Sequence, residues 1–411
     1  MEKLSHKKNV NVYFNGDWRK MTNMISYILI GTGNRMIGMF LNPIIERFST
    51  NNKIEAVFDI NIKRAQYVSE IIPYEVKTFD DVDKMFNEVE ADACIIATND
   101  NNHMNYINKA LQHKMRVICE KPVVVTREQC NMLNSLSDEE KRKIIVTFNS
   151  RYMPVNSKIK QIIDNNCLGK IYNVQYHYCV DDSHSAEYFR RWHRFKKNSG
   201  TLLIHKSVHH FDLVNWWLNA KPVSVIADGC LIKYGGDESK NNQICRKCRK
   251  NCQYKLDDKK IESLSELYFN NEDIDGYYRD GCVWDDSIDI YDTMSVNVRY
   301  NNGVQMCYSL LLYSSYTGFY LKISGEKGQL IVDFDNSKDV NLIRLLGSNS
   351  QEIPVFSELE KKHNGADDIL QELLFSNNEM VILPSVDEGI EAVLIGVAAN
   401  ESIENGKKIN I

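Results

Sequence analysis

The sequence predicts a two-domain α/β plus α+β protein. A doubly wound parallel sheet comes first, and an open, mostly antiparallel sheet packed by helices follows. Three observations carry this. Short apolar runs alternate with helical patterns from residue 24 to residue 148, as in a parallel sheet with crossover helices. A glycine turn, Gly31-Thr32-Gly33, follows the first run directly. Beyond residue 170 the runs alternate in polarity and are joined by hairpin signals, Asn301-Asn302-Gly303 above all.

Residues 1–23 have no clear period and read as an accessory arm, or as a by-product of start-site choice, since Met21 and Met24 are equally good starts. Ile25–Ile30 is a continuous apolar strand, as a doubly covered strand should be. The turn over Gly31, Gly33, Asn34 and Arg35 then opens a helix with Met39, Ile44 and Phe48. Such a turn lets backbone amides approach a pyrophosphate at a positive helix N-terminus. The third glycine of that pattern is Met36 here, and an ordinary tight turn is the plain alternative.

Ile54–Phe58 is a second strand with Asp59 at its end. A carboxylate there accepts from an adenosine ribose and repels a ribose phosphate, which favours NAD over NADP. Arg64 argues the other way, because an arginine can hold a phosphate. Val76–Phe79 and Ala93–Thr98 are further strands, and the loop after the latter holds Thr98, Asn99 and His103. Val117–Cys119 is a short strand stopped at Glu120-Lys121-Pro122, because Pro122 lacks an N–H and disfavours a helical residue before it. Lys121 is thereby set at the carboxyl edge of the sheet, where ligands bind in open α/β folds.

The order Gly31-x-Gly33, Asp59, Thr98…His103, Glu120-Lys121-Pro122 resembles the glucose–fructose oxidoreductase, inositol dehydrogenase and MocA-like family. The usual Thr-Pro-Asn reads Thr98-Asn99-Asp100 here, a departure from the pattern. The resemblance implies a Rossmann domain over 24–148, a substrate and oligomerisation domain over 149–385, and a C-terminal helix and tail over 386–411.

In the second domain, Arg151 opens a helix and Ile171–Val180 is a half-buried strand. Tyr188–Phe195, with Trp192 and His193, mixes cations and aromatics, as a loop that grips a polar ligand would, or one that only covers the sheet. His205, Lys206, His209 and Asp212 follow; a helix starting there puts His205, His209 and Asp212 on one face. Satisfied core histidines are the plain alternative. The family's Asp-x-x-x-His-x-x-Asp maps onto His209 and Asp212, with His205 in place of the first aspartate. His363 resembles a family segment that lines the substrate side.

An irregular insertion covers about 230–282. Cys245-x-x-Cys248-x-x-x-Cys252, with Cys282 as fourth thiol, suggests a structural zinc knuckle, or free cysteines in a reducing cytosol. The net charge of -5 disfavours a nucleic-acid surface, and no apolar run is long enough to span a bilayer. Eleven scattered cysteines and a polar start point to the cytoplasm.

The expected function is NAD-dependent hydride transfer at a hydroxyl carbon of a sugar, sugar derivative or cyclitol. Lys121, His209 and His205 would be the catalytic groups, with Arg151, Trp192, His193, Lys206, Asp212 and His363 on substrate. Two alternatives stand beside it: a redox-neutral glycosidase or lyase with transient oxidation, and a catalytically silent NAD sensor or corepressor. A homodimer or homotetramer is expected.

Overall fold

The computed structural model describes residues 24–236, 244–347, 350–376 and 383–411; the arm expected over 1–23 lies outside them. Six parallel strands form the first sheet: β1 (Ile25–Ile30), β2 (Asn52–Phe58), β3 (Lys77–Phe79), β4 (Ala93–Ile96), β5 (Arg116–Cys119) and β6 (Ile144–Val146). Their order, β3-β2-β1-β4-β5-β6, reverses direction between β1 and β4, so a crevice opens at the carboxyl ends of those two strands. Both faces of the sheet are covered, which is why β1 is apolar throughout. Ile28 and Ile30 enter one apolar cluster; Ile25, Tyr27 and Leu29 enter the other.

The helix after the glycine turn is irregular. It runs Asn34–Met36, widens by one residue per turn over Ile37–Leu41, and resumes over Asn42–Glu46. Pro43 has no N–H to return to Met39. The freed Met39 carbonyl takes the Gln371 side-chain amide instead, at 3.3 Å. Met36, where a glycine would allow closer approach, is fully buried in the core.

The second sheet has nine strands: β7 (Ile171–Asp181), β8 (Pro222–Cys230), β9 (Thr293–Tyr300), β10 (Gln305–Ser314), β11 (Gly318–Gly325), β12 (Gly328–Asp335), β13 (Val340–Gly347), β14 (Gln351–Phe356) and β15 (Ile409–Asn410). They lie in the order β14-β13-β12-β11-β7-β10-β9-β8-β15, antiparallel except for the β7–β10 pair. The expected hairpin at Asn301–Gly303 is present: Tyr300 N–H donates to Val304 at 2.9 Å, and Gly303 has φ +88. The long helix Val386–Asn405 packs on β8 and on the helix Val208–Leu218.

Two local expectations need correction. The stretch from His205 to Asp212 is not one helix. A short helix Leu202–His205 ends, Lys206 and Ser207 turn the chain, and a new helix starts at Val208. The Tyr188–Phe195 stretch is not a loop throughout, because a helix covers Asp182–Arg190 and a tight turn covers Trp192–Arg194. The insertion also has a definite place. Leu256, Leu264, Leu267 and Phe269 bury themselves in the cluster that holds Tyr27, Leu29 and Met36. It therefore docks on the first domain, although the chain reaches it from the second.

Candidate active site

A cavity of about 1040 Å³ lies where the carboxyl ends of β1, β2, β4 and β5 meet the second domain and the insertion. Of the residues expected on the cofactor side, Gly31, Gly33, Asn34, Arg35, Asp59, Thr98, Asn99, Glu120 and Lys121 all line it. Gly31 has φ +85, and a Cβ there would sit 2.7 Å from the Ala97 carbonyl, so the turn requires glycine. Asp59 is buried and organised: it accepts from Thr32 N–H at 2.9 Å and from the Arg64 guanidinium at 3.0 Å. Arg64 also pairs with Asp275 of the insertion. A glycine turn at a helix N-terminus and a carboxylate at the end of β2 fit a dinucleotide. His103 does not line the cavity; its buried Nδ1 lies 2.8 Å from the Pro122 carbonyl and braces the Glu120–Pro122 turn.

Of the residues expected on the substrate side, Trp192, His193, His205, Lys206, His209 and His363 line the same cavity. Arg151 and Asp212 do not. Arg151 Nε donates to Asp212 at 2.8 Å, and Arg151 Nη1 meets Glu388 at 2.8 Å, in a buried ion pair behind the site. The break at Lys206-Ser207 turns His209 toward the cavity and leaves Asp212 facing the core.

The Lys121 ammonium donates to the His205 carbonyl at 3.0 Å. Burial lowers the Lys121 pKa to about 8, against the pull of Asp100 and Glu120. His205 Nδ1 lies 2.6 Å from Asp100 Oδ2. Burial pushes Asp100 well up, with Lys121 opposing. Burial, then the charges of Lys121 and His193, hold His205 well below its ordinary value. His209 is held neutral in the same way, by burial and then by Lys121 and Lys206, and its Nδ1 has no hydrogen-bond partner among the described residues. His193 stacks on Trp192 at 3.9 Å and lies 4.3 Å from the His205 ring.

A network beneath ties the two domains. Arg35 donates to Glu120 at 2.7 Å and to Asp367 at 3.2 Å; His363 Nδ1 lies 2.9 Å from Asp367. Burial alone would raise Asp367, but His363, Arg35 and Asn149 outweigh it and hold the carboxyl well below the usual range.

The expected zinc knuckle is not shown. Among the described residues no group of three or more His, Cys, Asp or Glu side chains is disposed to hold a metal ion. Cys245 Sγ accepts from Leu256 N–H at 3.4 Å within the insertion, and burial, then the neighbouring Asp285, Cys248 and Cys252, raise the Cys282 thiol.

Sequence reasoning passed over several cavity residues, Asp100, Tyr268, Asp275 and Arg279, whereas Arg191 lies in the Tyr188–Phe195 stretch expected to grip a polar ligand. Asp100 did leave a signal, in the departure at Thr98-Asn99-Asp100. The others sit in a segment without periodicity.

Comparison with known proteins bears on this geometry. A profile described as "Oxidoreductase family, NAD-binding Rossmann fold" matches residues 25–148, and "Oxidoreductase family, C-terminal alpha/beta domain" matches residues 160–411. The chain belongs to the Gfo/Idh/MocA oxidoreductase family. YteT of Bacillus subtilis (strain 168), itself named only as a candidate oxidoreductase, is 32% identical across 94% of this chain and 98% of its own. An inositol 2-dehydrogenase of Rhizobium meliloti (strain 1021) is 24% identical over 44% of this chain and 52% of its own, so that match spans about half of each protein. The solved scyllo-inositol dehydrogenase of Lactobacillus casei has the same fold, with a TM-score of 0.65 and 16% identity over 95% of this chain and 99% of that one.

Against the Gfo/Idh/MocA pattern, two of this chain's departures meet in space. Asp100 stands where the loop pattern has asparagine, His205 stands where the helix pattern has aspartate, and the two side chains hydrogen-bond to each other. The carboxylate therefore comes from the loop after β4 rather than from the helix.

Proposed function

We propose that this oxidoreductase transfers hydride between NAD and a hydroxyl carbon of a sugar, sugar derivative or cyclitol. One observation carries the reading: Lys121, the Asp100–His205 pair and His209, Asp100 buried and the others half-buried, face a single cavity that also holds the glycine turn and Asp59. When bound, NAD supplies the hydride acceptor. Lys121 holds the reacting oxygen and stabilises the charge that develops on it. His209, held neutral by burial and by Lys121 and Lys206, takes the hydroxyl proton. Asp100 sets the His205 ring, whose carbonyl in turn positions the Lys121 ammonium. Trp192 gives a flat face on which a sugar ring can rest.

Support for NAD over NADP comes from Arg64. Its charge is already shared by Asp59 and Asp275, so a 2′-phosphate would meet two carboxylates. NAD is expected to bind at least about tenfold more tightly than NADP, because like charges brought together cost several kcal/mol. Asp275→Ser should narrow that gap; an unchanged ratio in a titration of both nucleotides would remove this argument.

The deciding experiment follows NADH absorbance with a panel of aldoses, cyclitols and their acid derivatives, together with product analysis. NADH accumulation supports net oxidation. Substrate loss without NADH supports the redox-neutral reading, which the insertion's cover over the glycine turn favours by hindering cofactor exchange. Nucleotide binding without turnover of any compound would overturn both.

The Asp100–His205 pair offers a sharper test. Asp100→Asn and His205→Asp each disturb the pair, and together they restore the family arrangement. The double variant is expected to retain more kcat/KM than the two single losses combined would leave, by roughly 2- to 100-fold, the usual size of coupling between contacting groups. Strict additivity would mean the two positions act independently.

A further proposal concerns assembly. The outer face of the second sheet exposes Tyr172, Ile226, Tyr320, Leu342, Leu346 and Phe356. A second copy that covers this face would make a homodimer or homotetramer. Among the described residues no helix is long and apolar enough to cross a membrane.

A further inference from the structure

Six arginines line the cavity, and four of them are neutralised. Arg35 pairs with Glu120 and Asp367, Arg64 with Asp59 and Asp275, Arg190 with Glu187, and Arg194 with Asp285. Arg191 and Arg279 have no carboxylate partner within ion-pair distance among the described residues. The Nε of each is buried with no hydrogen-bond acceptor. Burial and the charge of Arg191 even lower the Arg279 guanidinium from its ordinary value, so the two cations lie close enough to repel. The carboxylate whose charge reaches both, Glu187, is already shared by Arg190 and Lys260. Two adjacent cations, Arg279 buried and Arg191 half-buried, with no carboxylate of their own are costly, and a site that keeps them has an anionic occupant in its working state.

Their position identifies the anion. The Arg279 guanidinium lies over the Tyr268 ring, 4.4 Å from its centre. The Tyr268 hydroxyl accepts the Asn34 N–H at 2.9 Å, and it would lie 3.2 Å from a Cβ on Gly33. That amide, at the first turn of the helix after the glycine turn, is the donor a pyrophosphate takes in this fold. The segment bearing these groups is fastened to the first domain. Asn61 Nδ2 donates to the Asn271 carbonyl at 2.7 Å, Asp275 pairs with Arg64, and Leu264, Leu267 and Phe269 are buried in that domain's core.

We propose that Arg191 and Arg279 are the second half of the pyrophosphate site, closing on the cofactor from the side opposite the glycine turn. Two uncompensated cations match the two negative charges of a pyrophosphate. The inference rests on the dinucleotide occupying the groove at Gly31–Asn34. The cofactor is then held between the first domain and the chain's own insertion, and it leaves only when the insertion yields.

Calorimetric titration with ADP-ribose, which carries the pyrophosphate but cannot react, is the test. Arg191→Met and Arg279→Met should each weaken ADP-ribose by roughly 10- to 100-fold, the range for losing a charge-assisted hydrogen bond. Arg279→Lys should recover part of the loss, because it keeps the charge. Thermal melts without ligand show whether each variant is folded, and two separate positions guard against the failure of one. If folded variants bind ADP-ribose as the parent does and only the KM for an acidic sugar rises, the pair serves the substrate and the proposal falls. If the parent itself fails to bind ADP-ribose or NAD, the cofactor reading falls first.

Discussion

Lys121→Met is expected to lower kcat/KM by roughly two to four orders of magnitude, the usual contribution of a positioned proton-transfer or charge-stabilising group. NAD affinity should stay nearly unchanged, since Lys121 meets the His205 carbonyl rather than the glycine turn. His209→Ala should fall in the same range if that ring is the base. The pH dependence has a definite sign. With the Lys121 pKa at about 8, the ammonium prevails at neutral pH and the free amine above it. Carbonyl reduction, which draws on the protonated form, should decline as pH rises through about 8. Alcohol oxidation should rise over the same interval if Lys121 relays the proton. Turnover of both variants at the parent rate would show that the chemistry lies elsewhere in the cavity. A lysine lowered by burial suits this role, because each of its protonation states is accessible near neutrality.

Arg151→Met carries the largest expected stability cost, about 3–5 kcal/mol, because it leaves a buried carboxylate without its partner. In a chain of this size that corresponds to a fall in Tm on the order of 10 °C. Asp212 is 1% exposed, and burial already pushes its carboxyl up to about 6 despite Arg151. Without the guanidinium that pKa rises further above its unfolded value. The folded variant then binds a proton more readily than the unfolded chain. The deficit relative to the parent should therefore be greatest above pH 7 and shrink as pH falls toward 5. Melts of parent and variant at pH 5, 6 and 7.5 measure this directly, and a constant difference would mean that Asp212 stays charged throughout. The loss of activity in Arg151→Met should follow the loss of folded protein, since Arg151 does not line the cavity. A large drop in kcat at a temperature where the variant is fully folded would give Arg151 a direct role instead.

These two residues show where local reading works and where it stops. Lys121 was legible because its position follows from backbone chemistry: an apolar strand, a residue without an N–H, and an edge where strands end. Asp212 was placed at the cavity because a helix was assumed to run unbroken from His205, and Arg151 lies away from the cavity with it, as its ion-pair partner. The turn at Lys206-Ser207 rotates the second half of that stretch, and a helical face cannot be extended across it. The cysteine spacing reads less far for a related reason: it brings Cys248 and Cys252 near enough to Cys282 for their charges to act on it, but proximity in sequence does not say how the thiols are aimed.

The sequence by itself determined the two halves of the fold, the glycine turn, the carboxylate at Asp59 and the strand-end lysine. Each rests on periodicity or on the special backbone behaviour of glycine and proline, which act over a few residues. Only the tertiary structure decided that Asp100 meets His205 across 105 residues, and that the insertion lays Tyr268 on Asn34 across 234. A period tells which face of an element is buried, but not what is buried against it. The partners of charged groups depend on how the domains and the insertion close together. For this protein that closure decides which arginines are neutralised and which remain for an anion.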